Sequence, residues 1–544
     1  MRAAVVSMAE PRRTSGPGAT EATPRQVAVA SGAQLGAKGA HLLLNVASTL
    51  IVVRYLPEAA FGEYVVVLST VMLAGLVGEF GLPTLAVREI VRRPEHRDEI
   101  LGTVVGLRLA FTVMAIGLIQ LLLLVIGASG TAHLAALIAS VSLVFDAFFT
   151  LIVVTHAEMR QHIEAFLRLG METVEVVVLV GLVLVGASLP MLFVAPVVGA
   201  AAGALGACAV AHRTFGVAPR LSRLHARPLL REAAVIGPTV IIGVAYLKAD
   251  GLILAARRPS VDVAHYGAAA QPIEYLFLSS AVVVGVVFPL LAQAHGSGDE
   301  RRFQATYRAG TELLFTGCLL VPLTVALCGT AMLDVAYAGK YNDAAVPFLV
   351  LSVAFVLMVS NAWRSFVLLA AGQQVATLRY DLVACVVALV AGLSLVGPFG
   401  ATGAAIATLC VAFVVAAMSL VAVRRRVAVS LRPAPLAIAA GAAVGAGALG
   451  AVTSKLGAGP FAQATVAIAG YVLLIGLFAR PSIAELVGES DHGSAEELEF
   501  ADGVGPSPEE IELRAPSPAA FAGPTDPAGA AVKRPIGAGS GGPR

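Results

Sequence analysis

Residues 54–89 read RYLPEAAFGEYVVVLSTVMLAGLVGEFGLPTLAVRE. An arginine and a short Pro-bearing turn lead into a run from Phe61 to Pro83, which carries charge only at Glu63 and Glu79 and is followed by Arg88. A helix needs about 20 apolar residues to cross the hydrocarbon core of a bilayer. This stretch therefore predicts one crossing, with charge at both water-facing ends. The pattern recurs along the chain. Expected spans are 30–53, 61–83, 101–127, 132–155, 172–188, 190–211, 234–256, 268–292, 310–329, 346–370, 381–398, 400–422, 434–452 and 460–479. The composition agrees: 58% of residues are hydrophobic and 13% charged, about half the charge of a soluble protein. The expected class is an all-α polytopic membrane protein with 14 transmembrane helices.

The two ends read differently. Residues 1–26 are rich in Arg, Pro, Thr and Gly and lack an apolar core of the signal-peptide kind. Residues 481–544 hold eleven Asp/Glu, four Lys/Arg and nine Pro. Such a segment buries too little apolar area to offset the entropy of ordering. Both are read as disordered tails around a transporter domain at 27–480. The five cysteines, Cys208, Cys318, Cys328, Cys385 and Cys410, all lie within or at the ends of apolar runs, without a CxxC pair. They read as small buried hydrophobes.

Orientation follows from Lys/Arg in short loops. With a cytoplasmic N-terminus, the inner segments hold nineteen: Arg88, Arg92, Arg93, Arg97, Arg160, Arg168, Arg213, Arg220, Arg223, Arg227, Arg231, Arg301, Arg302, Arg308, Arg379, Arg424, Arg425, Arg426 and Arg432. The outer segments hold five: Arg54, Arg257, Arg258, Lys340 and Lys455. The alternation holds throughout, which places both termini inside. All expected outer loops are short, so no outer catalytic domain is expected. There is no GxxxxGK[ST], no HExxH, no Cys/His metal spacing and no GxSxG. No enzyme activity, cofactor or resident metal is expected. The Arg clusters flank membrane helices without interleaved aromatics, so no nucleic-acid partner is expected.

The hairpin at Arg54–Tyr64 has a counterpart at Arg257–Gly267. In each, a helix ends in Arg, a short turn carries an aromatic, and an apolar run follows. The offset is six spans, so the copies share orientation, as in repeats related by an axis along the membrane normal. This predicts an N-lobe at about 30–211, a C-lobe at about 234–422 and two extra helices at about 434–479. The two six-helix lobes would enclose a central cavity.

These segments resemble a known family. RYLPEAAFGEYVVVLSTVMLAGLVGEFGLPTLAVRE resembles the start of the bacterial polysaccharide exporters, the lipid-linked oligosaccharide flippases of O-antigen and related synthesis. Residues 248–296, KADGLILAARRPSVDVAHYGAAAQPIEYLFLSSAVVVGVVFPLLAQAHG, are similar to that family's spans seven and eight. Asp250, Tyr266, Ala269 or Ala270, and Phe288-Pro289 match its pattern, with Tyr266-Gly267 in place of Gly-Tyr. FGATGAAIAT at Phe399–Thr408 resembles the start of span twelve. The resemblance covers about residues 28–425, and it identifies fold better than substrate. It implies a flippase in the cytoplasmic (inner) membrane, moving a lipid-linked repeat unit for surface polysaccharide or lipopolysaccharide. The expected partners are that substrate, membrane lipid, a coupling H+ or Na+, a polysaccharide polymerase and glycosyltransferases. The same superfamily holds cation-coupled multidrug antiporters, usually of twelve spans, and the lipid II flippase. A membrane enzyme or non-transporting scaffold is the competing class.

Ionisable side chains inside spans are costly, by roughly 2.5–3.5 kcal/mol on insertion scales, so each needs a reason. Lys38 and Arg364 lie in the inner half and suit phosphate; snorkelling to the interface is the bland alternative. Asp250 and Glu274 lie at similar depth in spans seven and eight, and Lys248 is two positions from Asp250, on a different helix face. Lys248 is assigned to phosphate, and Asp250 and Glu274 to a coupling ion; an ion pair between the spans is the alternative. Glu79, Arg108, Asp146, Glu175 and Glu312 show no partner in sequence.

Overall fold

The computed structural model describes residues 24–158, 160–427 and 433–478. The expected tail 481–544 lies outside the described residues, as does all but the end of 1–26. Among the described residues every regular element is helical. The first half holds α1 (Pro24–Tyr55), α2 (Glu58–Glu79), α3 (Leu82–Arg92), α4 (Arg97–Ile126), α5 (Gly130–Phe149), the short α6 (Val154–Ala157), α7 (Gln161–Leu184), the short α8 (Leu189–Leu192) and α9 (Val194–Phe215). The second half holds α10 (Arg223–Arg257), α11 (Ser260–Gly296), α12 (Glu300–Cys318), α13 (Leu320–Tyr337), α14 (Ala345–Ala370) and α15 (Gln374–Arg426). Among the described residues a final pair follows, α16 (Pro433–Lys455) and α17 (Pro460–Phe478). Nine helical stretches among the described residues are long and apolar enough to cross a membrane.

Breaks fall where the backbone leaves helical geometry. Between α2 and α3, Phe80 and Gly81 are both left-handed, with φ of 44° and 71°. That conformation costs a non-glycine residue roughly 1–2 kcal/mol. It is held by packing: the Phe80 ring lies against Gly237 of α10 and 4.9 Å from the Phe111 ring. Within α15, Gly400 has φ 55° and ψ −131° and divides the long helix. A side chain there would also meet Arg258 and Asp262, which pair at 2.8 Å. This break separates the stretches read in sequence as 381–398 and 400–422.

Two ends of the bundle can be followed. At the far end, the α1–α2 and α10–α11 hairpins matched in sequence pack together, α2 against α11. Gly62 faces the Ser260 carbonyl so closely that no Cβ would fit, and Gly267 sits against Val65. Arg54 donates from Nε to the Ala336 carbonyl at 2.7 Å, and Lys340 donates to the Arg54 carbonyl at 2.7 Å. Phe61 meets Tyr341 edge-on at 5.7 Å. At the basic end, the start of α10 lies on α3 and α4. Arg88 pairs with Glu232, and the Arg220 N–H donates to the Asp98 carbonyl at 3.0 Å.

The core of the second half centres on Trp363. Its indole N–H donates to Thr311 at 2.9 Å, and it stacks on Tyr307 over Gly310. The final pair packs on α12 and α13 through Leu323, Ala442, Ala446, Ala467 and Tyr471. Tyr471 donates its hydroxyl to the Thr316 carbonyl at 2.8 Å, fixing the register of that contact.

Candidate functional site

Asp250 is the most enclosed of the candidates, only 5% exposed. It sits on α10 one helical step before Gly251, whose N–H donates to Oδ1 at 2.7 Å. Tyr266 of α11 donates to Oδ2 at 2.5 Å, and Thr408 of α15 donates to the same oxygen. Three helices therefore meet on one carboxylate. The donors replace much of the hydration that an ionised carboxyl loses on burial. Thr408 also lines a cavity of about 320 Å³ among α10, α11, α14 and α15, with Tyr246, Asn361, Ser365 and Asp381. Carboxylate, amide and hydroxyl oxygens of this kind suit a hard cation.

Lys248 lies two residues earlier, on another face of α10. It points at α11, where Nζ donates to both carboxylate oxygens of Glu274, at 2.7 and 2.8 Å. Lys248 is thus joined to Glu274 in the inter-helix ion pair weighed in sequence, and Asp250 has its own separate partners. The pair is unevenly buried, with side-chain exposures of 14% for Lys248 and 45% for Glu274. Arg364 is buried on α14, and its Nε donates to Ser419 of α15 at 2.9 Å. It lies inside the second half, packed between helices. Lys38 falls on α1, and its side chain is outside what the structure describes.

A second polar cluster was not assembled in sequence. Arg108 of α4, buried, donates to the Asp146 carbonyl at 2.9 Å and to Thr150, and it lies 3.4 Å from Glu79. Arg108, Asp146 and Glu79 line a cavity of about 690 Å³ with Arg88, His156, Glu164 and Arg168. His156 and Glu164 are paired, and Arg168 donates to Glu164 at 2.8 Å. Arg108, Glu79 and Asp146 are costly in-span charges in the sequence, and their spacing does not show that three helices bring them together. Asp381 sits at an expected span boundary, beside Arg379, where a charge carries no signal in the sequence.

An apolar groove of about 490 Å³ runs between α1 and the second half. Leu42, Val46 and Leu50 form one wall, and Pro272, Leu320 and Val325 form part of the other. Thr49 and Tyr275 bridge it, hydroxyl to hydroxyl, at 2.5 Å. Its few polar groups and mostly aliphatic walls fit an acyl or isoprenoid chain better than a sugar.

Charged groups are thus buried between apolar helices, and the two halves meet at both ends. Residues 25–295 match the family described as polysaccharide biosynthesis protein. The chain belongs to this family. As a polysaccharide biosynthesis protein it carries several helices long and apolar enough to cross a membrane, and solved structures of similar fold are transporters. The lipid II flippase MurJ in an inward closed conformation is similar with a TM-score of 0.69 and 13% identity, over 84% of this chain and 100% of that one. An inward-facing multidrug resistance transporter of the MATE family, in the MOP superfamily, gives 0.58 and 16%, over 71% and 94%. A MOP superfamily transporter from Pyrococcus furiosus gives 0.54 and 15%, over 74% and 96%. At these identities the likeness is one of fold. No curated protein sequence matches the chain.

Proposed function

We propose that this polysaccharide biosynthesis protein is a flippase that carries a lipid-linked oligosaccharide across the cytoplasmic membrane. The family match over residues 25–295 is the observation that carries the reading. In it the chain crosses fourteen times with both termini inside, and the basic end faces the cytoplasm. The tails read at 1–26 and 481–544 lie outside the transporter domain, apart from residues 24–26, which open α1.

The mechanism divides the substrate by chemistry. The phosphate needs cations, which Lys38, Lys248 and Arg364 would supply, together with the Arg88, Arg108 and Arg168 side of the larger cavity. Lys248 is held by Glu274 until phosphate competes for it. The lipid tail stays in the apolar groove between α1 and α11, so only the headgroup passes through protein. Rocking of the two halves then moves the opening from one side to the other. Release outside requires weaker phosphate binding in the outward state. A proton or Na+ at Asp250 or Glu274 would tip that balance, and Asp381 adds a further carboxylate behind Thr408.

Deleting the chain tests the reading. Lipid-linked repeat units should accumulate on the inner leaflet while surface polysaccharide is lost. Lys38→Ala should reproduce this at normal protein level, and Lys38→Arg should retain some export, because charge is what phosphate requires. Unchanged surface polysaccharide in the deletion would sink it. The MurJ-like fold over 84% of the chain supports a second substrate of the same chemistry, lipid II. Accumulation of lipid II instead of the polysaccharide repeat unit would select it.

A further inference from the structure

We propose that His96, Glu99 and His225 form a site for a divalent transition metal of the zinc class, which fastens α10 to the start of α4. One donor atom from each residue lies within 4.8 Å of the others. His225 Nδ1 is 3.2 Å from one Glu99 oxygen, and His96 Nδ1 is 4.0 Å from the other. Metal–ligand bonds of about 2.0–2.2 Å in a tetrahedron place donors about 3.3 Å apart. The His225–Glu99 edge already has that length. The half-exposed His96 ring, 4.0 Å from the other oxygen, must move closer to complete a face. Two imidazoles and a carboxylate select zinc-like ions over Mg2+ or Ca2+, which take oxygen ligands, and leave a fourth position for water.

The backbone around the cluster is held in place. Thr103 Oγ1 accepts from the Ser222 N–H at 3.2 Å and donates to the Glu99 carbonyl at 2.6 Å. The Arg220 N–H is bonded to the Asp98 carbonyl, and Gly102 allows the chain at Arg220 to approach α4 closely. His225 is thereby fixed on the first turn of α10, opposite Glu99 on the first turn of α4. The neighbouring cation is engaged elsewhere: Arg97 donates to the Phe215 carbonyl at 2.9 Å and lies near Asp98 and Glu158. Half-exposed Glu99 and His96 leave a path for the ion from water.

The ligands come from both sides of the junction between the two halves. A bound ion therefore adds to the Arg88–Glu232 contact and holds the basic end shut. This second consequence rests on the flippase reading; the binding itself does not.

The test is zinc titration of the purified full chain in detergent against a chromophoric chelator, with Co2+ absorbance as a check on geometry. One ion per chain is expected. His96→Ala and Glu99→Gln should each weaken it at least about tenfold, since even the outer partners of a metal ligand are worth 10–100-fold. His133→Ala, at the far end, should leave it unchanged. His96 is half-exposed, and the thermal melting of His96→Ala checks that its replacement leaves the fold intact. Equal affinity in wild type, His96→Ala and Glu99→Gln, or no stoichiometric binding, would overturn the site. Flipping in vesicles should slow with zinc in the wild type and not in His96→Ala. Stoichiometric binding without slowing would overturn the clamp while leaving the site.

Discussion

Lys248 grips Glu274 with both carboxylate oxygens within 2.8 Å of one nitrogen, across the gap between α10 and α11. An ion pair of this kind contributes little net stability, because desolvation offsets attraction. Its value lies in what it can exchange. A phosphate that reaches Lys248 competes with Glu274 for the same ammonium.

Double replacement separates the two roles. Lys248→Ala should remove export, and because it strands a half-buried carboxylate it should also cost about 1–2 kcal/mol, less than for a fully buried pair. Lys248→Leu with Glu274→Leu should recover the melting temperature and remain inactive. Recovery of both stability and export in the double variant would make the pair structural only.

Asp250 binds three donors from three segments, so its charge state is coupled to how α10, α11 and α15 sit together. Asp250→Asn is expected to fold and reach the membrane, with export reduced by about tenfold or more, equivalent to about 1.4 kcal/mol of barrier or state preference. The remaining export should no longer respond to the Na+ or H+ gradient. An unchanged gradient response in Asp250→Asn would exclude this carboxylate from coupling.

Much of the fold was legible because lipid imposes length and apolarity on every crossing helix. Helices occupy the apolar stretches, and the division at Gly400 coincides with the boundary read between 398 and 400. The site was less legible. A helix that meets lipid on one face and protein on the other is apolar all round, so periodicity does not tell which side faces inward. Depth could be read from residue counting, which put Asp250 and Glu274 at one level; the partner of Glu274 is Lys248, two positions from Asp250 on another face. Azimuth could not, which is why Asp250 went unmatched with Tyr266 and Thr408. Arg108 illustrates the same loss: its partners Glu79 and Asp146 are 29 and 38 residues away on other helices. The His96–Glu99–His225 grouping depends on a contact across the junction between halves, which no local spacing encodes.

Gly62 sets how closely the two matched hairpins approach. Gly62→Val should force α2 from Ser260 and destabilise the far-end contact by about 1–3 kcal/mol, the usual range for overpacking. In a background without the native cysteines, His265→Cys should react faster with an impermeant thiol reagent when Gly62→Val is present. Equal rates would mean that the far end does not depend on this contact.

The charge asymmetry of nineteen Lys/Arg against five predicts the orientation. Reporter fusions at Ser129 and Gly397 should report the outside, and a fusion at Arg220 the cytoplasm. A cytoplasmic signal at Ser129 would overturn the fourteen-crossing topology.

The most direct measurement uses the purified full chain in proteoliposomes with a lipid-linked oligosaccharide placed in one leaflet. A membrane-impermeant oxidant or glycosidase reports how much of the sugar has crossed. Wild-type vesicles should expose substrate much faster than protein-free vesicles, and folded Lys248→Leu with Glu274→Leu should match the protein-free rate. Wild-type protein that is folded and correctly inserted, yet moves the oligosaccharide no faster than bare lipid, would contradict the flippase reading.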